Sequence, residues 1–222
     1  MQTLYSRRDT AQLLRLNKID SLIQQLRHQG IKNPEVLRVM RQTPRHLFID
    51  EALANHAYTN NALPIGYGQT ISQPYIVARM TEALLNHGYS ENVLEVGTGC
   101  GYQTAILAQL INKVYSVERI KPLSDKARKH LKLLELNNVE LNYGDGHWGW
   151  AKHAPYQSII VTASPDTVPE ALLDQLAIRG CLIIPVGEQN QQVLLKIVRT
   201  RTHYEQYTLE PVSFVPLREG LN

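Results

Sequence analysis

At 222 residues, with 43% hydrophobic and 19% charged residues, the chain has the composition of an ordinary globular protein and enough length to bury a sizeable core. No apolar run approaches the roughly 20 residues of a membrane span, and the polar start M-Q-T-L-Y-S-R-R has none of the form of a signal peptide, so no membrane partner is expected. The formal net charge of +3 is uneven: residues 1–50 carry nine Lys/Arg against four Asp/Glu. These basic residues are interleaved with apolar ones at helical spacing and lack an aromatic stacking set, which points to a solvated helix face and to no nucleic-acid partner.

Residues 1 to about 16 lack strong patterning. From Asn17 to Gln29 the apolar positions Ile19, Leu22, Ile23 and Leu26 recur at helical spacing and stop at Gly30. Asn33-Pro34 opens a second helix, with asparagine as the cap and proline in the first turn, carrying Val36, Leu37 and Met40. Thr43-Pro44 begins a short turn with Leu47 and Phe48. Between Asn60 and Pro74 the texture changes to N-N-A-L-P-I-G-Y-G-Q-T-I-S-Q-P, a shaped loop rather than a helix. Such a loop ahead of a ligand-binding turn is a place for substrate-contacting groups, although it could equally be a linker. Ile76 to Leu85 returns to a helix.

Val93 to Val96 is apolar apart from Glu95 and reads as a buried parallel strand. Gly97, Gly99 and Gly101 follow at alternate positions, and a helical pattern begins at Tyr102. Strand, glycine turn and helix bring backbone N–H groups against a polar or anionic ligand. The dinucleotide fingerprint G-x-G-x-x-G would need glycine where Tyr102 stands, so the pattern here is G-x-G-x-G. With an acidic residue in the preceding strand, it resembles motif I of S-adenosylmethionine-dependent methyltransferases. Cys100 lies inside the turn without a sequence-local base and reads as a small turn residue, not a nucleophile.

Strand–helix units then repeat. Val114–Glu118 is a strand, Pro122–Leu136 a helix striped by Leu123, Ala127, Leu131 and Leu134, and Val139–Tyr143 a third strand leading into Gly144-Asp145-Gly146. Ser158–Thr162 is a fourth strand, Pro169 to about Ala177 a helix, and Cys181–Val186 a fifth strand. Gln192–Arg199 and Tyr204–Val215 form a terminal hairpin. This alternation predicts an α/β fold with a doubly wound, mostly parallel sheet, three layers deep, preceded by helices and closed by the hairpin.

In open sheets of this kind, ligands bind beyond the carboxyl ends of the strands. Glu95, Glu118, Asp145 and Thr162 stand at or near four such ends, separated by 23, 27 and 17 residues, so they are expected on one rim. Glu118 lies 21 residues beyond Gly97, about where an acid accepts hydrogen bonds from ribose hydroxyls. Asp145, between glycines, is suited to an adenine amino group, and Glu95 is assigned to the ligand's amino-acid end. Taken singly, each acid could be a helix cap or a solvated strand end. No metal site is expected, because His147 and His153 have no ligand-spaced partner. The two cysteines, Cys100 and Cys181, fit neither a disulfide framework nor a zinc site and point to a reducing cytoplasm.

Taken together, L-P-I-G-Y-G-Q-T-I-S-Q-P (63–74), V-L-E-V-G-T-G-C-G-Y-Q-T-A (93–105), V-Y-S-V-E-R-I (114–120), G-D-G (144–146), A-P-Y-Q-S-I-I-V-T-A (154–163), L-I-I-P-V-G (182–187) and F-V-P-L (214–217) resemble the bacterial protein-L-isoaspartate O-methyltransferases. That resemblance implies a single Rossmann-like methyltransferase domain over 1–222. It would comprise helical decoration at 1–60, a substrate loop and helix at 61–92, and a cofactor-binding core with hairpin at 93–222. It implies a monomer that transfers methyl from S-adenosylmethionine to the α-carboxylate of isoaspartyl residues in damaged proteins and peptides, giving an ester that closes to a succinimide. By position, Ser72 is the implied active-site serine. Gln69, Thr70, Ile71, Ser72, Gly97, Thr98, Gly99, Gly101, Gly146 and Thr162 join Glu95, Glu118 and Asp145 as the cofactor set. Ser164-Pro165-Asp166 and Arg218 depart from the family pattern.

A carboxylate acceptor suits a site without a strong base, because it is already ionised at neutral pH. Serine as a covalent nucleophile is disfavoured, since no histidine or lysine is patterned beside it. Three rival readings remain: another S-adenosylmethionine-dependent methyltransferase acting on a small molecule or nucleic acid, a nicotinamide-dependent oxidoreductase, and a non-catalytic cofactor-fold module. Ser72 itself could instead cap the helix that begins near Gln73-Pro74.

Overall fold

A computed structural model describes residues 7–88 and 90–222. The first helix, α1 (Arg7–His28), starts about ten residues before the stripe of Ile19, Leu22, Ile23 and Leu26 that anchors it. Leu13, Leu14 and Leu16 are exposed, so residues 11–18 bury no face and carry no periodic signal. The part of the unpatterned start at residues 1–6 lies outside the described residues. Asn33 caps α2 (Pro34–Gln42) through its side chain, which accepts from the N–H groups of Glu35 and Val36. The turn after Pro44 is a 3₁₀ turn that buries Phe48 but leaves Leu47 exposed.

The 60–74 loop is more regular than its composition suggests. Leu63–Gly66 (β1) and Gln69–Ile71 (β2) pair as a small antiparallel hairpin, and α3 (Pro74–Leu85) follows at once. The core begins with β3 (Asn92–Val96) and α4 (Tyr102–Ala108), then β4 (Lys113–Glu118), α5 (Lys121–Leu133) and β5 (Val139–Tyr143). Next come β6 (Tyr156–Val161), α6 (Glu170–Asp174), β7 (Leu176–Val186), β8 (Gln192–Arg199) and β9 (Tyr204–Val212). The predicted helix at 169–177 is shorter, because Leu176 already pairs with Tyr156 as the first residue of β7.

These strands form one seven-stranded sheet in the order β5-β4-β3-β6-β7-β8-β9. Pairings from β5 to β7 are parallel, and β8 and β9 add antiparallel at the edge. Alternate residues of each strand face opposite layers. Val93, Val114 and Ile160 pack with α3 and α4, while Leu94, Val117 and Ile159 pack on the opposite face with Leu172 of α6. The N-terminal helices lie outside α3 to α5 and share a core with them. Chain direction across the sheet reverses between β3 and β6, which opens a crevice beyond their carboxyl ends. Among the described residues no helix is long and apolar enough to cross a membrane.

Candidate active site

The crevice is built from loops leaving β3, β4, β5 and β6. Its main cavity is lined by Val96, Gly97 and Gly99, by Val117 to Ile120, by Gly146, and by Thr162 and Ala163. Gln69 and Thr70 of the hairpin close one side, and Val215 to Arg218 close the other. An inner chamber reaches from Thr70, Ile71 and Ser72 to Thr98, Cys100, Tyr102 and Gln103, sharing Gly97, Gly99 and Thr162 with the main cavity. An open cleft of about 500 Å³ lies on the far side of the hairpin, between Asn61 to Gln73 and the segment Pro211–Phe214. Thr70 lines all three spaces and Ser72 lines the chamber and the cleft, so they are parts of one site.

Two glycines of the rim, Gly97 and Gly146, have no room for side chains. A Cβ on Gly97 would sit 2.4 Å from Thr162 Oγ1, and one on Gly146 would sit 2.4 Å from Val96 Cγ1. Thr162 Oγ1 donates to the carbonyl of Gly97 at 2.7 Å, locking the ends of β3 and β6 together. Glu118 turns back from the end of β4 into the turn. Its Oε2 accepts from Gly99 N–H and its Oε1 from Ile120 N–H, each at 2.8 Å, while burial pushes its carboxyl above the ordinary range. Of the four residues whose spacing predicts one rim, Glu118 and Thr162 line this cavity, with Gly146 beside them.

Three members of the predicted set do not line the cavities. Glu95 is fully buried on the α4 side of β3, on the same face as Val93, because strand alternation turns it away from the rim. Its Oε2 accepts from the hydroxyls of Thr104 and Ser116 at 2.5 Å each, Oε1 is buried without a partner, and burial pushes the carboxyl up to about 8. Gly101 serves packing instead, since a Cβ there would lie 3.1 Å from that of Ala127 on α5. Asp145 stands beside the rim with both oxygens engaged. Oδ1 accepts from His147 N–H at 2.9 Å, and Oδ2 accepts from Gly220 N–H at 2.7 Å. Thr98 lines the inner chamber, but its hydroxyl is spent on Ser116 at 2.6 Å.

Ser72 is half-buried, between the inner chamber and the cleft. The cap of α3 is Gln73 and no side chain closes its first turn, so Ser72 does not take the capping role that the sequence left open. Burial pushes the Cys100 thiol up to about 11, which keeps it protonated and unreactive at neutral pH.

The wall Val215–Arg218 is absent from the predicted cofactor set. It reaches the site because Ser164 N–H donates to Val215 C=O and Leu217 N–H donates to Ser164 C=O, each at 2.8 Å. These contacts to the wall are main-chain ones, while the buried Ser164 hydroxyl donates to the carbonyl of Gly187 at 3.3 Å. Arg218 stands exposed at the cavity wall. The only signal in the sequence was F-V-P-L, whose place beside β6 is a tertiary fact.

A family model described as protein-L-isoaspartate(D-aspartate) O-methyltransferase matches residues 17–222. The chain is 57% identical over 200 residues to protein-L-isoaspartate O-methyltransferase 1 of Marinobacter nauticus, covering 90% of this chain and 91% of that protein. It is 56% identical over 201 residues to the protein-L-isoaspartate O-methyltransferase of Pseudomonas paraeruginosa, covering 90% and 95%. Among solved structures, one from Plasmodium falciparum, assigned to the same family and holding S-adenosyl-L-homocysteine, superposes with a TM-score of 0.78 at 29% identity. That match covers 89% of this chain and 97% of the other. With motif, fold and whole-length identity in agreement, the chain belongs to the protein-L-isoaspartate O-methyltransferase family of S-adenosylmethionine-dependent enzymes.

Proposed function

We infer that this enzyme methylates the α-carboxylate of L-isoaspartyl residues in damaged proteins and peptides, and that Ser72 aims the acceptor. The observation that carries this reading is the sharing of Thr70 and Ser72 between the chambers beside the glycine turn and the open cleft. A group presented from the cleft would meet the donor at that hairpin. The cleft's volume falls within the ~300–1,000 Å³ typical of ligand sites, and its open side lets a peptide chain run on.

The residues that line the main cavity and inner chamber suit S-adenosylmethionine in their donor set. Glycine backbone borders them where a Cβ would clash, and a carboxylate stands at the end of β4. Glu118 would hold the ribose hydroxyls with the lone pairs left over from Gly99 and Ile120. Gly146, beside Asp145, and the neighbouring Leu217 would border the adenine. The inner chamber, with the Gln103 side chain in its wall, would hold the amino-acid end. When bound, the cofactor supplies an activated methyl group whose leaving group is a neutral thioether.

The acceptor carboxylate is already ionised, so no proton has to be moved and no base is required. The chain's task is placement, for which orientation supplies ~7–11 kcal/mol. The Ser72 hydroxyl would donate to one carboxylate oxygen and aim the other at the methyl group, a charge-assisted bond worth ~1.5–3 kcal/mol. The free, buried state of Cys100 and Cys181 supports a cytoplasmic setting. The test is transfer of labelled methyl from S-adenosylmethionine to paired peptides differing only in aspartyl or isoaspartyl linkage. Label on the isoaspartyl member alone is expected, and equal labelling would overturn the assignment.

A further inference from the structure

Arg45 lies in the 3₁₀ turn after α2 and is wholly buried, 0% exposed. Among the described residues it makes no ion pair. Its Nη2 donates to the carbonyls of Ser72 at 2.9 Å and Asn61 at 3.3 Å, while Nε and Nη1 are buried without a partner. The guanidinium lies 4.9 Å from the centroid of the Tyr102 ring, which lines the inner chamber. Such an arrangement is costly, because a buried charge loses its hydration and two carbonyls and a ring face replace only part of it. Packing alone would be served better by an apolar side chain of similar volume.

The two carbonyls identify what the cation does. Asn61 precedes β1 and Ser72 follows β2, so one nitrogen joins the two stems of the hairpin that walls all three spaces of the site. Neighbouring bonds lace the same stems: Gln73 Nε2 donates to Asn60 C=O at 2.8 Å, and Tyr75 N–H donates to Asn60 Oδ1 at 2.9 Å. Fixing the Ser72 carbonyl fixes the peptide plane beside its Cα, and with it the direction in which the Ser72 side chain projects.

We propose that Arg45 is a positioning residue for methyl transfer, clamping both stems of the β1–β2 hairpin so that Ser72 faces the acceptor carboxylate. The proposal deepens the isoaspartyl reading and rests on it for the role of Ser72. Because Arg45 acts through Ser72, the effects of losing the two should not multiply.

The experiment is a double-mutant cycle of Arg45→Met and Ser72→Ala. It is read as single-turnover transfer to an isoaspartyl peptide, with S-adenosylhomocysteine affinity by calorimetry and amide exchange measured on the same samples. Arg45→Met is expected to lower the rate per folded molecule by about tenfold or more, and to leave S-adenosylhomocysteine affinity within about threefold. Exchange over residues 61–72 should quicken while β3 stays protected. Arg45→Lys, which keeps a donor, should recover part of the rate. In the double variant the rate should fall no more than about threefold below Ser72→Ala alone. Multiplying losses, or an Arg45→Met variant with a lower melting temperature but wild-type rate and hairpin exchange, would overturn the proposal. If Arg45→Met does not fold, Arg45→Lys takes its place in the cycle under the same criteria. A wild-type enzyme inactive on the isoaspartyl peptide would instead overturn the functional reading, while hairpin exchange and calorimetry would still report on the clamp.

Discussion

The carboxylate of Glu118 accepts the N–H of Gly99 at 2.8 Å, so the residue expected to hold the ribose also holds the glycine turn in shape. Removing it should therefore do more than delete one ligand contact. Glu118→Ala also leaves the N–H groups of Gly99 and Ile120 without an acceptor. Affinity for S-adenosylhomocysteine is expected to fall by at least the ~1.5–3 kcal/mol of one hydrogen bond to a charged group, while KM for the peptide at saturating cofactor stays unchanged. Calorimetry and steady-state kinetics on one preparation check this. A peptide KM that rises while cofactor affinity holds would move Glu118 to the acceptor side.

Gly97 offers a sharper test of the cavity wall. Its φ is +97°, a region that costs an L-residue about 1–2 kcal/mol, and its missing side chain leaves the place that Thr162 Oγ1 fills. Gly97→Ala should displace Thr162 and weaken S-adenosylhomocysteine binding about tenfold or more in a protein whose circular dichroism is unchanged. Wild-type affinity would mean that this wall does not touch the cofactor.

Ser72→Ala should lower single-turnover transfer by about ten- to a hundred-fold, the rate equivalent of a charge-assisted hydrogen bond. Because Gln73, not Ser72, caps α3, the melting temperature should not move. A destabilised variant that transfers methyl at the wild-type rate would show that the serine is structural after all.

Glu95 sets a pH dependence of stability. Its folded-state carboxyl is pushed up to about 8 by burial, against the opposing pull of Ser116 and Thr104. The folded state thus keeps a proton that the unfolded state has already lost. Stability falls as pH rises from the ordinary carboxylate range through about 8, and it is favoured below that window. Glu95→Gln removes the ionisation, so its melting temperature should gain on the wild type between about pH 5 and about pH 9. A difference constant across that range would show that Glu95 is not titrating there.

By itself the sequence determined the elements and the reaction class. Strand and helix periods are local, so β3 to β5 and their helices could be read from Val93, Leu123 and Val139 onward. The glycine turn, Glu118 and Thr162 reached one rim because each follows one strand–helix unit. Local pattern failed where a residue's role depends on a distant partner. Glu95 looked like a rim acid until the facing of β3 turned it toward Thr104. Gly101 looked like part of the ligand turn until α5 brought Ala127 against it. Asp145 meets Gly220, the hairpin β1–β2 hides in a loop-like composition, and Val215–Arg218 becomes a cavity wall only through Ser164. Arg45 is the extreme case, one basic residue among nine in the first 50 positions. Only the packing of the N-terminal helices over Tyr102 takes its charge out of water and sets it on the carbonyl of Ser72, because burial and carbonyl direction belong to the folded chain as a whole.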